Sequence, residues 1–390
     1  MTYTHRLLLL MLAITLALTG FAPASAQATN ATTLPSPTYR FEWTDGTTLT
    51  GEAIVKQGVS YIGMDAIVAT MTFFCLILSN EHKVKYEGFR TSFTITLGKS
   101  TGELNGKAVQ LGGIPFKRGE QIFVPARFLV TALRGSKVSW DPKQQVVSAK
   151  GLRKDLGARI PYGRLTYSLD FETGELTLKD NVEGIERKLI DLAPILGNVT
   201  YRFRKTKGGL LLLTITDNSG EPHIHYQQYQ IVLKNRGVIR QSSAYFYERV
   251  PRDDISYGDT IVLTNGKQLR LIEDGTGRVM EKLDLVRIGG EKDNYYVEGM
   301  DEDFLLLRAN QSGMLKLYDR RTQETVLLNK HLLDPSLFEI TENYTQPLVG
   351  RGDYLTYVKR EGDQLLFRNE APYLKEEERS VIYRYTLAKT

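Results

Sequence analysis

The side chains able to do chemistry are few and scattered. His223 and His225 flank Ile224, and strand alternation would set both imidazoles on one face, a pair suited to zinc or copper. A metal centre needs a third ligand, and Glu221 is the closest candidate, so a solvated strand face is the expected reading. Asp253-Asp254 and Asp301-Glu302-Asp303 suit a glycosidase pair or a calcium site. They fall in loops without an Asp-x-Asp-x-Asp-Gly pattern, and solvated turns are expected. Cys75 lies in Phe73-Phe74-Cys75-Leu76-Ile77-Leu78, where a buried, inert thiol is expected, and a single cysteine makes no internal disulfide. Arg351-Gly352-Asp353 matches an integrin-binding tripeptide but fits a turn before a strand at 354–358. The chain has no G-x-S-x-G elbow, phosphate loop or dinucleotide fingerprint. No catalytic, cofactor-binding or metal-ligating residue is therefore assigned, and no cofactor.

The elements around these residues are more informative. The stretch 119–151 reads as strand, helix, strand, strand. Residues 121–124 are β-prone, and Pro125 suits a helix start because its missing N–H would be unpaired there. Phe128, Leu129, Ala132 and Leu133 form one apolar face, with Arg127 and Arg134 flanking it. Gly135 fits the position just past the helix end. Val138 and Trp140 alternate with polar residues, Asp141-Pro142-Lys143 turns the chain, and Val146-Val147 opens the next strand.

These blocks resemble a known family. Asn105-Gly106-Lys107, the 123–129 run Phe-Val-Pro-Ala-Arg-Phe-Leu, and Val138-Ser139-Trp140-Asp141 are similar to the copper amine oxidase N-terminal-like stalk domain. The resemblance covers about a quarter of the chain. It implies an extracellular accessory module in a bacterium, and not the copper- and quinone-bearing part of those oxidases. Amine oxidase activity is not expected.

Within 39–151 two half-repeats emerge. Residues 61–71 align without gaps on 123–133, and each copy follows a turn glycine, Gly58 or Gly119, and a hairpin at Asp45-Gly46 or Asn105-Gly106. The first copy carries Gly63 and Asp65 where the second has Pro125 and Arg127. It also holds an extra apolar segment, 71–79, expected to cover a sheet edge or to contact the second domain. Ahead of this domain, 1–26 read as a signal peptide: Arg6, an apolar run over 7–18, and Ala24-Ser25-Ala26 before the cut. That run is too short to span a bilayer, and no transmembrane segment is expected in the mature chain. Residues 27–38 are small, polar and proline-bearing, a flexible linker.

From 152 to 390 short β-rich runs recur between turns such as Asn265-Gly266 and Glu361-Gly362-Asp363. A phrase with Asp at a strand end recurs at Asp170, Asp274 and Asp319. The last two are 45 residues apart, a propeller-blade spacing. The fold class expected is mainly β: an antiparallel stalk-type α+β domain, then a β-propeller-like domain of about five blades from near Tyr162, closed by strands from both ends. A β-sandwich or two stacked modules are the alternatives.

With 42% hydrophobic and 24% charged residues, the chain has ordinary globular composition. Its +5 charge is interspersed, without the basic patch that nucleic acid binding requires. The expected protein is secreted or envelope-associated and non-catalytic, its stalk presenting the propeller to a cell-wall polymer, glycan or surface protein. The alternative is an extracellular lyase or glycosidase with its site in the propeller funnel.

Overall fold

A computed structural model describes residues 36–70, 73–79, 82–252, 256–335 and 352–388. The expected signal peptide, most of the linker, Asp253-Asp254 and Arg351 lie outside the described residues. The protein is mainly β, 54% strand against 8% helix, and its strands form several separate sheets.

The first part runs β1 (Thr38–Trp43), β2 (Thr48–Lys56), β3 (Val59–Gly63), α1 (Asp65–Ala69), β4 (Phe74–Ser79), β5 (Lys83–Glu87) and β6 (Ser92–Thr96). It continues with β7 (Thr101–Leu104), β8 (Lys107–Gln110), β9 (Phe116–Arg118), β10 (Gln121–Pro125), α2 (Ala126–Ala132), β11 (Ser139–Asp141) and β12 (Val146–Leu152). One sheet has the order β11-β12-β1-β2-β3-β10-β9 and the other β4-β5-β6-β7-β8, and the first is not the wholly antiparallel sheet expected, because β1 and β12, from the two ends of this part, pair parallel. Period-2 alternation builds them: in β1, Tyr39, Phe41 and Trp43 are buried while Thr38 and Arg40 face out. The half-repeats meet at β3 and β10, which pair antiparallel with Ile62 opposite Val124, Gly63 opposite Phe123 and Tyr61 opposite Pro125. A two-fold axis through Ile62 and Val124 generates that pairing, since it exchanges residues that the repeat makes equivalent.

One apolar core unites both sheets and both helices. Phe93 sits at an aromatic cluster, its ring 4.9 Å from Tyr86, 5.2 Å from Phe73 and 5.3 Å from Phe128 of α2. All of α2 except Arg127 and Thr131 is buried, a wider face than the 128/129/132/133 stripe. The helix end differs from expectation: Arg134, not Gly135, takes the left-handed conformation, at φ +57°. Gly135 is needed for packing instead, because a Cβ there would lie 2.9 Å from the Val130 and Leu152 side chains.

The extra apolar segment becomes β4, the edge strand beside β5. It neither covers an edge nor joins a sheet of the second half; it is an edge itself, with Leu76, Ile77 and Leu78 47%, 62% and 49% exposed. Cys75, expected to be buried, is exposed there, opposite Tyr86. Apolar neighbours in sequence do not bury a residue on a strand with only one neighbour. Burial of part of the side chain raises the thiol pKa, the Tyr86 hydrogen bond opposes this, and Asp65 adds to it. A maleimide should therefore label Cys75 in the native protein, faster as pH rises; labelling that requires denaturant would contradict the exposed edge.

Beyond Leu152 five sheets follow in sequence order, each from consecutive antiparallel strands. The first comprises β13 (Gly157–Tyr162), β14 (Leu165–Asp170), β15 (Glu175–Asp180) and β16 (Glu186–Asp191). The second comprises β17 (Asn198–Lys205), β18 (Leu211–Ser219), β19 (His225–Lys234) and β20 (Gly237–Tyr247). The third comprises β21 (Ser256–Tyr257), β22 (Thr260–Thr264), β23 (Gln268–Glu273) and β24 (Val279–Asp284). The fourth comprises β25 (Tyr295–Met300), β26 (Phe304–Ala309), β27 (Leu315–Asp319) and β28 (Glu324–Leu327). The fifth has β29 (Leu355–Glu361), β30 (Gln364–Asn369) and β31 (Tyr383–Thr386).

Successive sheets pack through shared apolar clusters. Leu169 and Ile215 join the first and second, Leu212 and Ile261 the second and third, Leu271 and Leu305 the third and fourth, Phe304 and Phe367 the fourth and fifth. The array starts at Gly157 rather than near Tyr162. Among the described residues no sheet beyond Leu152 is closed by strands from both ends: each of these five is built from one contiguous stretch of chain. The recurring aspartates also differ in place. Asp319 ends a third strand and Asp274 follows one directly, whereas Asp170 ends a second strand, and Asp180 holds the matching position in the first sheet. Asp180 and Asp319 each accept two amides of their own turn, but Asp274 reaches Thr206 and the Gly208 amide of the second sheet.

Candidate ligand-binding cleft

Among the described residues, those singled out for chemistry are not brought together. His223 lies in a turn at φ +68°, before β19 begins, so the two imidazoles do not share a strand face. His225 instead hydrogen-bonds the Tyr245 hydroxyl and contacts the Tyr247 ring at 5.2 Å. Among the described residues no three His, Cys, Asp or Glu side chains are grouped to hold a metal. Asp301 and Asp303 are closed by one guanidinium: Arg360 of the fifth sheet donates to both, at 2.7 and 2.6 Å. Asp301 also accepts the Asp303 and Phe304 amides, which shapes its loop.

Gly352 and Asp353 belong to the interior. Asp353 is fully buried, accepts Arg308 Nη1 at 2.8 Å and the Leu315 amide at 2.8 Å, and presents no integrin ligand. Arg308 is itself 1% exposed and also pairs with Glu298 through two nitrogens. Gly352, at φ +124°, has the Gly313 carbonyl oxygen 2.0 Å from where a Cβ would sit.

A cleft of about 610 Å³ opens along β20, the last strand of the second sheet. Its walls come from three sheets. The first contributes the chain after β16, at Asp191, Leu192 and Ala193; the third contributes Asn265, Gln268 and Arg270. From the second come Gln227, Tyr229 and Ile231 of β19, with Gln241, Ser242 and Ser243 of β20. Register explains the grouping: Tyr229 pairs with Ser243 and Ile231 with Gln241, so these four share a face. Ser242 points to the other face, and both faces reach the cleft because no described strand pairs with the outer edge of β20.

Arg270 reaches from β23 to this edge and donates Nη2 to the Gln241 carbonyl. Burial, and then the like charge of Arg240, lower the Arg270 pKa. Asp191, the acid in the lining, is paired with Lys188 at 2.7 Å. The Ser242 hydroxyl is buried without a hydrogen-bond partner, as is the Nε of Arg240. Burial raises the Tyr229 pKa, with the Ala193 backbone opposing. The lining thus offers amides, hydroxyls and one guanidinium, a set suited to holding a polar ligand. No motif in the sequence marks this site. Its one signal is the alternation Gln268-Leu269-Arg270-Leu271, which puts two polar side chains on one face of a strand.

The copper amine oxidase N-terminal domain family matches residues 43–149. That stretch holds nearly all of the two N-terminal sheets. No curated protein matches the chain. Solved structures that align with it include a luciferin-regenerating enzyme, 11% identical with a TM-score of 0.27, covering 76% of this chain and 88% of that one. Sqt1 of Saccharomyces cerevisiae is 12% identical with a TM-score of 0.24, covering 88% and 87%. A Bacteroides fragilis protein described as exported is 11% identical with a TM-score of 0.23, covering 90% and 99%. At such TM-scores these likenesses carry no weight for fold or function.

Proposed function

We propose that this is a secreted or envelope-associated binding protein without catalytic activity. Residues 39–151 are its accessory module, and 152–390 are a ligand-binding domain whose five sheets are the blades of a propeller-like array. The match to the copper amine oxidase N-terminal domain supports the first part, and five sheets packed in chain order support the second. The observation that carries the binding reading is the cleft along β20: neutral hydrogen-bonding groups dominate its lining, and its acid is tied to Lys188. No described helix is long and apolar enough to cross a membrane. The partner is a cell-wall polymer, a glycan or a surface protein.

Fractionation of the native host tests the reading, followed by pull-down of the chain 27–390 on purified cell wall. The expected result is export with cleavage after Ala26, and wall retention that survives moderate salt. An intact chain in the cytoplasm would overturn the localisation. Turnover of a wall glycan by the purified protein would overturn the non-catalytic reading in favour of a lyase or glycosidase.

A further inference from the structure

We propose that the cleft along β20 binds an anionic saccharide, whose carboxylate or phosphate meets Arg270 while its hydroxyls meet the amides and Ser242. The inference rests on the binding reading above and names its ligand class.

Three features of the lining lead there. The first is uncompensated positive charge. Arg270 and Arg240 act on each other as like charges, and among the described residues neither lies within ion-pair distance of a carboxylate. Several other arginines in this half do meet a carboxylate: Arg278 meets Glu273, Arg308 meets Glu298 and Asp353, and Arg360 meets Asp301 and Asp303. Two neighbouring guanidiniums without an acid, one of them in a cleft wall, are relieved by an anion. The second is an unmet hydroxyl. Ser242 is 8% exposed, lines the cleft, and has no partner, so its buried oxygen gains a hydrogen bond only from a ligand or water. The third is the neutral polar wall. Gln227, Gln241 and Gln268 each bring a donor and an acceptor, the pairing that sugar hydroxyls require, and Asn265, whose oxygen accepts the Lys267 and Gln268 amides, brings its NH₂. The volume, about 610 Å³, lies within the ~300–1,000 Å³ span of small-ligand sites.

An acidic peptide would share the charge but would also want apolar pockets for its side chains, which this lining lacks apart from Leu192, Ala193 and Ile231. Nucleic acid would want a chain of cations rather than one guanidinium with a second behind it.

Calorimetric titration of the chain 27–390 tests the inference, with four probes: a trimer of galacturonic acid, a neutral galactose trimer, a glycerol-phosphate trimer and a hexamer of glutamate. The expected result is binding of one or both anionic saccharide-like probes, at least about tenfold tighter than galactose trimer and weakened by salt. Which of the two binds identifies the anion as carboxylate or phosphate. Arg270→Gln should weaken that binding by about tenfold or more, the loss of one charge-assisted hydrogen bond, with little effect on neutral sugar. Because Arg270 also holds the Gln241 carbonyl, Arg240→Gln provides a second variant that leaves that contact in place; it should weaken the anion by severalfold at unchanged melting temperature. Equal binding of galacturonate and galactose, indifferent to both variants, would overturn the anionic assignment while leaving a glycan-binding protein. Binding of glutamate hexamer alone, or of no probe, would overturn it as well. Cleavage of a probe would overturn the binding reading beneath it.

Discussion

Asp353→Ala is expected to destabilise the protein by about 3–5 kcal/mol, the cost of leaving one member of a buried ion pair behind. Arg308 would keep Glu298, the Gly313 carbonyl at 2.7 Å and the Leu355 carbonyl, but would lose the carboxylate 2.8 Å from Nη1. The Leu315 amide, which donates to Asp353 at 2.8 Å, would be orphaned as well. Burial opposes charge on Arg308, yet Glu298 and Asp353 outweigh it and raise the pKa. Burial likewise pushes the Glu298 carboxyl up, but Arg308 more than offsets this and holds it below the usual carboxylate range. A carboxyl depressed in the folded state stabilises above its unfolded pKa, about 4.3, and that contribution disappears as pH falls through the lower folded value. Urea unfolding at pH 7 measures the first effect. Repeating it down to pH 3 measures the second, with Glu298→Gln expected to flatten the acid limb. A shift below about 1 kcal/mol for Asp353→Ala would mean that the pair is solvated and the tripeptide accessible.

Phe93→Ala should cost about 3–5 kcal/mol in the N-terminal part, as for other large-to-small changes in a packed core. Its ring is one of the contacts between α2 of the second half-repeat and the first, through Phe128 on one side and Tyr86 and Phe73 on the other. Phe93→Leu, which keeps much of the volume, should cost under about 1.5 kcal/mol. Calorimetry of these variants also tests the proposed division at 151/152. If the parts are separate domains, Phe93→Ala lowers one transition and Asp353→Ala the other. A single transition that falls in both variants would sink that division. The parts do touch: Arg90 bridges Asp170 at 2.9 Å, and Asp155 accepts the Arg90 and Thr91 amides at 2.8 and 2.6 Å.

By itself the sequence determined what local rules determine. Alternation and turn chemistry located the strands around Asn265-Gly266 and Glu361-Gly362, and the 61–71 to 123–133 alignment anticipated two matching strand–helix units. Each of these signals lies within a dozen residues, the range over which backbone preference and side-chain period act. Tertiary structure decided everything that depends on a neighbour across space. Cys75 and its apolar flanks looked like core, and became an edge because, among the described strands, only β5 pairs with β4. Asp353 looked like part of a surface turn, and became the buried partner of Arg308, 45 positions away. Arg270 carried no motif; its place in a cleft depends on the edge of β20 and the end of β16, which meet it only after three sheets have packed. Periodicity along a chain tells which side chains share a face. What stands opposite that face is settled by packing, and the chemistry of this protein lies in what stands opposite.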